Sequence, residues 1–221
     1  MAIVNVTDDS FFAGSRTPEW SAVVSRVERA VADGATVIDV GGYSSRPSAA
    51  DIPTEEEWRR VDSGLSAVRE VAPDIAVSVD TFRAEIVRRA ADKYGELIVN
   101  DISAGEADAG MIPTVASLGL PYIAMHMRGT PQTMQSLTGY EDVVAEVRDY
   151  LAARAGYMIS QGMRRENIIL DPGFGFAKTV EQNYRLLGGL HEICALGYPV
   201  LAGMSRKSMI YRLLGITPEE S

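Results

Sequence analysis

The 221-residue sequence is poor in the residues that staple or metallate small domains, with one cysteine, Cys194, and two histidines, His126 and His191. A single thiol excludes an internal disulfide framework, and two histidines are too few for a His-rich zinc site. No apolar run approaches the roughly 20 residues that cross a bilayer. Met1-Ala2-Ile3-Val4 is too short for the core of a secretory signal. Basic residues are outnumbered, 21 against 30 acidic, giving a net charge of -9 with no Lys/Arg cluster longer than a pair. Such a surface does not attract nucleic acid or an anionic membrane, so any anionic ligand must be held by a few local cations. These absences predict a soluble, unsecreted chain of the reducing cytoplasm.

What is present is alternation. Short β-branched runs are separated by longer stretches of helical period, the βαβα pattern of a parallel sheet covered by helices. Seven strands are predicted, at residues 2–6, 36–40, 75–79, 97–100, 122–125, 167–170 and 200–203. Thr17-Pro18 reads as a helix start, ahead of Val23, Val24, Val27 and Val31 on one face. Thr54 and Glu57 have capping-box spacing before Trp58, Val61, Leu65 and Val68. A further helix is predicted from Glu141 to Met158. No repeat or linker divides the chain, so residues 1–221 form a single domain. An open doubly wound sheet would gather its polar residues at one switch point. Here they sit past every strand end, which favours a TIM (β/α)8 barrel.

Those strand-end residues are Asn5 with residues 7–11, Gly41 to Pro47, Asp80-Thr81, Asn100-Asp101, Met125-His126-Met127, Asp171 to Phe176 and Ser205 to Ser208. Carboxylates, an Asn and a Lys converging on one rim are costly to bury unless paired or bound to ligand. A planar heterocycle with an amino group, a ring N–H and a carbonyl matches them. Asp171 can accept from two adjacent N–H groups, Asn100 both donates and accepts, and Lys207 donates. Asn5, Ser45, Arg46 and Arg206 offer oxygen ligands and donors for a phosphate or pyrophosphate, with Mg²⁺ bridging the anion to Asn5.

The segments NVTDDSFF (5–12), GGYSSRP (41–47), SVDT (78–81), VNDISAG (99–105), MHMRGTP (125–131), DPGFGFAK (171–178) and MSRKS (204–208) together resemble the dihydropteroate synthase family of pterin-binding barrels. The resemblance implies a transferase of folate biosynthesis, the target of sulfonamides. It would condense a dihydropterin pyrophosphate with p-aminobenzoate and release pyrophosphate. Carried over by motif, Asp80, Asn100, Met125, Asp171, Phe176, Gly203 and Lys207 bind the pterin. Asn5, Ser45 and Arg46 hold the pyrophosphate, with Mg²⁺ on Asn5. Phe11, Pro47, Lys207 and Ser208 enclose p-aminobenzoate, and Lys207, Arg46 and Asp80 are the expected catalytic groups. Small-molecule substrates are the expected partners, without nucleic acid or membrane, and the chain is compatible with a homodimer. The sequence departs from the family at Asp8, Ala13, Tyr43, Ser45, Ser48 and Ala177, the last in place of a usual Gly. It stops before the family's eighth strand and its Arg-x-His anion motif, so the expected fold is a barrel truncated after the seventh strand. That suggests a piece of a longer protein or a chain completed by a partner.

Several residues have plainer readings. Asp39 is expected to be a buried carboxylate supporting neighbouring loops, and Asp101 serves equally well as a loop cap or a ligand contact. His126 is expected to pack, Cys194 to lie in the core, and Arg16, Arg59-Arg60 and Arg88-Arg89 to be solvated. Met125 rather than Met127 should face the pocket, because the two alternate in direction. The rival functions are a pterin-dependent methyltransferase, a lyase using Lys207 as a Schiff base, and a non-catalytic pterin binder. The first has no pyrophosphate for Asn5, Ser45 and Arg46 to hold.

Overall fold

The computed structural model describes residues 1–6, 18–44 and 51–217. Six strands and eight helices alternate: β1 (Ala2–Asn5), α1 (Pro18–Ala32), β2 (Val37–Gly41), α2 (Thr54–Val71), β3 (Ala76–Asp80), α3 (Ala84–Tyr94), β4 (Ile98–Asp101), α4 (Met111–Leu118), β5 (Tyr122–Met125), α5 (Val143–Ser160), β6 (Ile168–Asp171), α6 (Val180–Gly188), α7 (Leu190–Cys194) and α8 (Ser208–Leu214). The strands pair in chain order, β1-β2-β3-β4-β5-β6, all parallel. A doubly wound sheet reverses its strand order at a switch point, and this one never does, so the sheet winds as a (β/α) barrel winds. The predicted seventh strand is reduced to one parallel bridge, Leu170 to Val200. After it, residues 201–204 run on without further pairing among the described residues.

One face of the sheet packs the helices. Val40, Val79, Val99, Ala124 and Leu170 are buried with Val61, Leu65 and Val68 of α2, Ile86 and Val87 of α3 and Val147 and Leu151 of α5. The opposite face carries the polar residues. Gly64 on α2 is what allows helix and sheet to meet so closely. A Cβ there would lie 2.5 Å from Val40 Cγ1 and 3.0 Å from Val6 Cγ2.

Local signals and tertiary contacts disagree at several positions. α1 buries Val23 and Val27, but Val31 is exposed. Thr54 does not cap α2. Pro53 occupies the N-cap, and Glu57 turns inward to Thr81 and Arg83 instead. Thr179 with Gln182 forms a capping box at the start of α6. Arg60 is buried rather than solvated, donating to Glu56 and the Gly42 carbonyl. Cys194 is exposed, because Ile193 takes the inward position at the end of α7. No helix among the described residues is long and apolar enough to cross a membrane.

Gly64→Ala should overpack this contact and cost about 1–3 kcal/mol, despite the better helix propensity of alanine. Urea denaturation of the variant beside wild type would measure it, and unchanged stability would show that the contact can relax.

Candidate functional site

The site follows from strand register. Asn5 pairs with Gly41, Gly41 with Asp80, and Asp80 with Asn100. Partners in register on parallel strands project to the same face, so these four residues form one row at the C-terminal strand ends. Asn100 pairs with Ile123, two residues before Met125, and Met125 pairs with Asp171. The period of two therefore brings Met125 and Asp171 to the same polar face. Gly41 is the gap in the row. A Cβ there would lie 3.0 Å from Asn5 Oδ1 and 3.4 Å from Asp80 Oδ2.

A second row supports the first. Asp39 and Ser78 are register partners two residues earlier on β2 and β3. Asn100 donates through Nδ2 to Asp39 Oδ2 at 3.1 Å. Asp39 therefore supports Asn100, a strand-end residue, more directly than any loop. Asp39 Oδ1 and Ser78 Oγ are buried without a hydrogen-bond partner among the described residues, although Ser78 is near enough to restrain the carboxyl. Burial pushes the Asp39 carboxyl up. Burial, then the neighbouring Asp39, Asp101 and Glu57, holds Asp80 well above the usual carboxylate range. The row thus keeps protons to higher pH than exposed carboxyls would.

The turn after β6 forms the other wall. Gly173 has φ +68, and a Cβ on it would stand 2.1 Å from the His126 carbonyl oxygen, so only glycine fits. Its amide donates to Asp171 Oδ1 at 2.7 Å. Burial pushes Asp171 up to about 6, against this bond and the Lys207 and Lys178 ammonium groups. Lys207 Nζ lies 4.5 Å from the centroid of the Phe176 ring. Burial lowers its pKa, while Asp171 opposes the shift. Arg206 beside it is exposed, at φ +56. Ala177 has φ +50 and packs with Ile102, Met125, Met127 and Met134. A left-handed backbone there explains why glycine is the expected residue.

Met125 and Met127 belong to one cluster, contrary to the expected alternation. β5 ends at Met125, and beyond a strand the period of two no longer governs direction. Asp101 is a loop clamp, accepting from the Ser103 and Gly105 amides, Ser103 Oγ and Tyr122 OH at 2.7–2.9 Å. His126 packs edge-on to Tyr150 as expected. Gly203 is exposed with open space around it, and Ser208 opens α8. Asn5 is exposed at the end of β1. Phe11, Ser45, Arg46, Pro47 and Arg16 lie outside the described residues.

Lys178 and Arg83 carry no sequence signal of their own, and Asp39 carries only that of a buried supporting carboxylate. Lys178 is buried under the β6 turn, and Asp39 underlies Asn100. Arg83 joins Glu57 (2.7 Å), Asp51 (3.1 Å) and the Ile52 carbonyl (2.8 Å). A cavity of about 670 Å³ opens beside it, with Tyr43, Phe82, Ile102 and Met127 among its walls.

A barrel-type α/β fold with buried carboxyls, an amide and an ammonium on one strand-end rim defines a protein built to hold a small, flat, polar ligand. The chain belongs to the pterin binding enzyme family, whose model matches residues 1–220. It is 43% identical over 214 residues to the dihydropteroate synthase of Haemophilus influenzae, covering 97% of this chain and 77% of that protein. With the Escherichia coli dihydropteroate synthase it shares 42% identity over 220 residues, covering 100% and 77%. Among solved structures it superposes on the Xanthomonas albilineans dihydropteroate synthase with 4-aminobenzoic acid at a TM-score of 0.85 and 40% identity. That match covers 99% of this chain and 77% of the other.

A carboxyl at about 6 when folded and 3.8 when unfolded binds its proton more tightly in the folded chain. Its effect on stability is therefore most favourable below pH 4 and is lost as pH rises toward 6, by about 3 kcal/mol. Asp171→Asn keeps the acceptor for Gly173 and removes this loss. Denaturation at pH 7.5 should find the variant about 1–3 kcal/mol more stable than wild type, and at pH 4 the two should be equal.

Proposed function

We propose that this chain is a dihydropteroate synthase, joining 6-hydroxymethyl-7,8-dihydropterin pyrophosphate to p-aminobenzoate in folate biosynthesis. The observation that carries the reading is the single rim shared by Asp80, Asn100, Asp171 and Lys207. A pterin presents an amino group, ring N–H groups and a carbonyl along its edge, and these residues supply the complementary acceptors and donors. Asp171 would accept from the amino group and adjacent N–H. Asn100, with one N–H committed to Asp39, would offer its carbonyl oxygen and remaining proton. Lys207 would donate to the ring system, with Met125, Phe176 and Gly203 beside it.

The chemistry asks little general-base help, because an aryl amine is already neutral at pH 7. The C–O bond to pyrophosphate can break early, with positive charge spread into the electron-rich pterin. The enzyme's main task is then to receive the leaving anion. Asn5, Ser45 and Arg46 are the proposed residues for that, and Asp80 and Lys207 would steady the pterin as its charge changes. Bound Mg²⁺ would supply counter-charge to the departing oxygens. Its proposed ligand, Asn5, suits a hard cation that binds few protein groups and keeps its waters. The amide oxygen is exposed at the strand end, and the absent side chain of Gly41 leaves room beside it. Phe11, Pro47, Lys207 and Ser208 would close around p-aminobenzoate, the pocket that sulfonamides would enter. The proposed setting is the cytoplasm, with small molecules as substrates and a homodimer as the working assembly.

Pyrophosphate release from the two substrates with Mg²⁺ tests the reading. Lys207→Ala should lower kcat/KM roughly ten- to hundredfold, the effect of a lost charge-assisted hydrogen bond. The exposed Arg206→Ala should stay within about threefold, and the reverse order would mean that the two neighbours have been assigned wrongly. In calorimetry, Asp171→Ala should abolish saturable binding of the pterin substrate. Retained binding would remove Asp171 from the pocket.

A further inference from the structure

Behind the Phe176 wall lies a lysine to which the reaction as described assigns nothing. Lys178 is buried. Its Nζ donates to the carbonyl oxygens of Gly173 (2.9 Å) and Phe176 (3.0 Å) and lies 3.1 Å from His126 Nδ1. An ammonium has three protons, and these three partners use them all. Burial, together with Lys178 and Arg128, pulls the His126 pKa down to about 3, so the ring is neutral and Nδ1 can accept. His126 sits just past β5. Its backbone amide donates to the Asp171 carbonyl at 2.9 Å, and its ring is fixed edge-on to Tyr150. Lys178 is thereby tied to both β5 and β6.

A buried ammonium without a directly paired carboxylate is costly, and an apolar side chain would fill the space with less penalty. The acceptors explain its presence. Gly173, Gly175 and Ala177 all have positive φ, and the turn they shape presents the Phe176 carbonyl to Lys178 Nζ, together with the Gly173 carbonyl, which also accepts the Phe176 amide at 3.1 Å. One of those carbonyls belongs to Phe176, whose ring faces Lys207. The stem of Lys207 also rests on Gly175, where a Cβ would approach Cδ to 3.2 Å. Burial pulls the Lys178 pKa down to about 7, helped by Lys207 and Arg128 and opposed by Asp171, so the ammonium is held through the range below pH 7 in which Asp171 titrates.

We propose that Lys178 is a positioning residue for the pterin pocket: fastened beneath the β6 turn and tied to β5 through His126, it sets where Phe176 and Lys207 stand. For its substrate this role rests on the pterin reading above, whereas its geometry and its effect on Asp171 do not. The groups acting on the Asp171 carboxyl are Lys178 on its own turn, Lys207 from the loop before α8, and the Gly173 amide.

The test compares wild type with Lys178→Met and Lys178→Arg. In ligand-free protein labelled with ¹³C-aspartate, the Asp171 carboxyl is identified by its loss in Asp171→Asn. Its titration midpoint should move up by about one pH unit in Lys178→Met, since a neighbouring cation is gone, and return toward wild type in Lys178→Arg. Calorimetry with dihydropterin pyrophosphate should show roughly ten- to hundredfold weaker binding by Lys178→Met. The acid limb of its pH profile should shift upward. An unmoved Asp171 midpoint, or pterin affinity within threefold of wild type, overturns the proposal. Should Lys178→Met not fold, His126→Phe removes one acceptor while keeping a ring, and His126→Asn keeps an acceptor near Nδ1. The first should bind pterin about fivefold more weakly than the second, and equal affinities overturn the proposal. If wild type binds no pterin, the functional reading fails, and the Asp171 midpoint still decides the role of Lys178.

Discussion

Parallel register is the constraint on which the rest of the molecule depends. Asn5, Gly41, Asp80 and Asn100 come from segments up to 95 residues apart in the sequence, yet each is the partner of the next across the sheet. A slip of one residue in any strand would turn its polar group toward the helices and a valine toward the ligand. The apolar face prevents this slip. Val40, Val79 and Val99 are fully buried against α2 and its neighbours, so moving any of them would expose core and bury charge together. Packing on one face thereby enforces chemistry on the other.

The polar face is held at some cost in stability. Asp39, Asp80 and Asp171 are all pushed up chiefly by burial, and Lys178 and Lys207 are pulled down by it. Each ionised group would be more stable in water, which is the usual signature of a site arranged for a ligand rather than for the fold. Opposite charges are arranged so that each limits the other's shift, as Asp171 does with both lysines. A pterin edge would add hydrogen bonds to these groups, so ligand and fold should stabilise each other.

Strand and helix positions were legible because burial on one face writes a period into the sequence. All six strands stand within one residue of their expected ends, and α5 is as predicted apart from a shift of two residues. A local signal fails where a distant partner competes with it. Thr54 and Glu57 have capping-box spacing, but Glu57 makes two stronger bonds across the fold, to Thr81 at 2.5 Å and to Arg83 at 2.7 Å. Arg60 looked like a solvent charge on a helix, and the Gly42 carbonyl draws it inward. The run at 200–203 has strand composition, but only Val200 finds a ladder partner.

The sequence by itself determined the family, the order of strands and helices, and the residue types at each strand end, because motif and period are local properties of the chain. It could not show which of those residues share a face across β2 to β6, nor that Asp39 supports Asn100 from below. It gave no sign that Lys178 is braced between two carbonyls and His126. Those relations join residues 61 and 52 positions apart. They exist only once register and helix packing bring the segments together and exclude water, and that exclusion is the chief cause that moves the carboxyl and ammonium groups away from their ordinary pKa values.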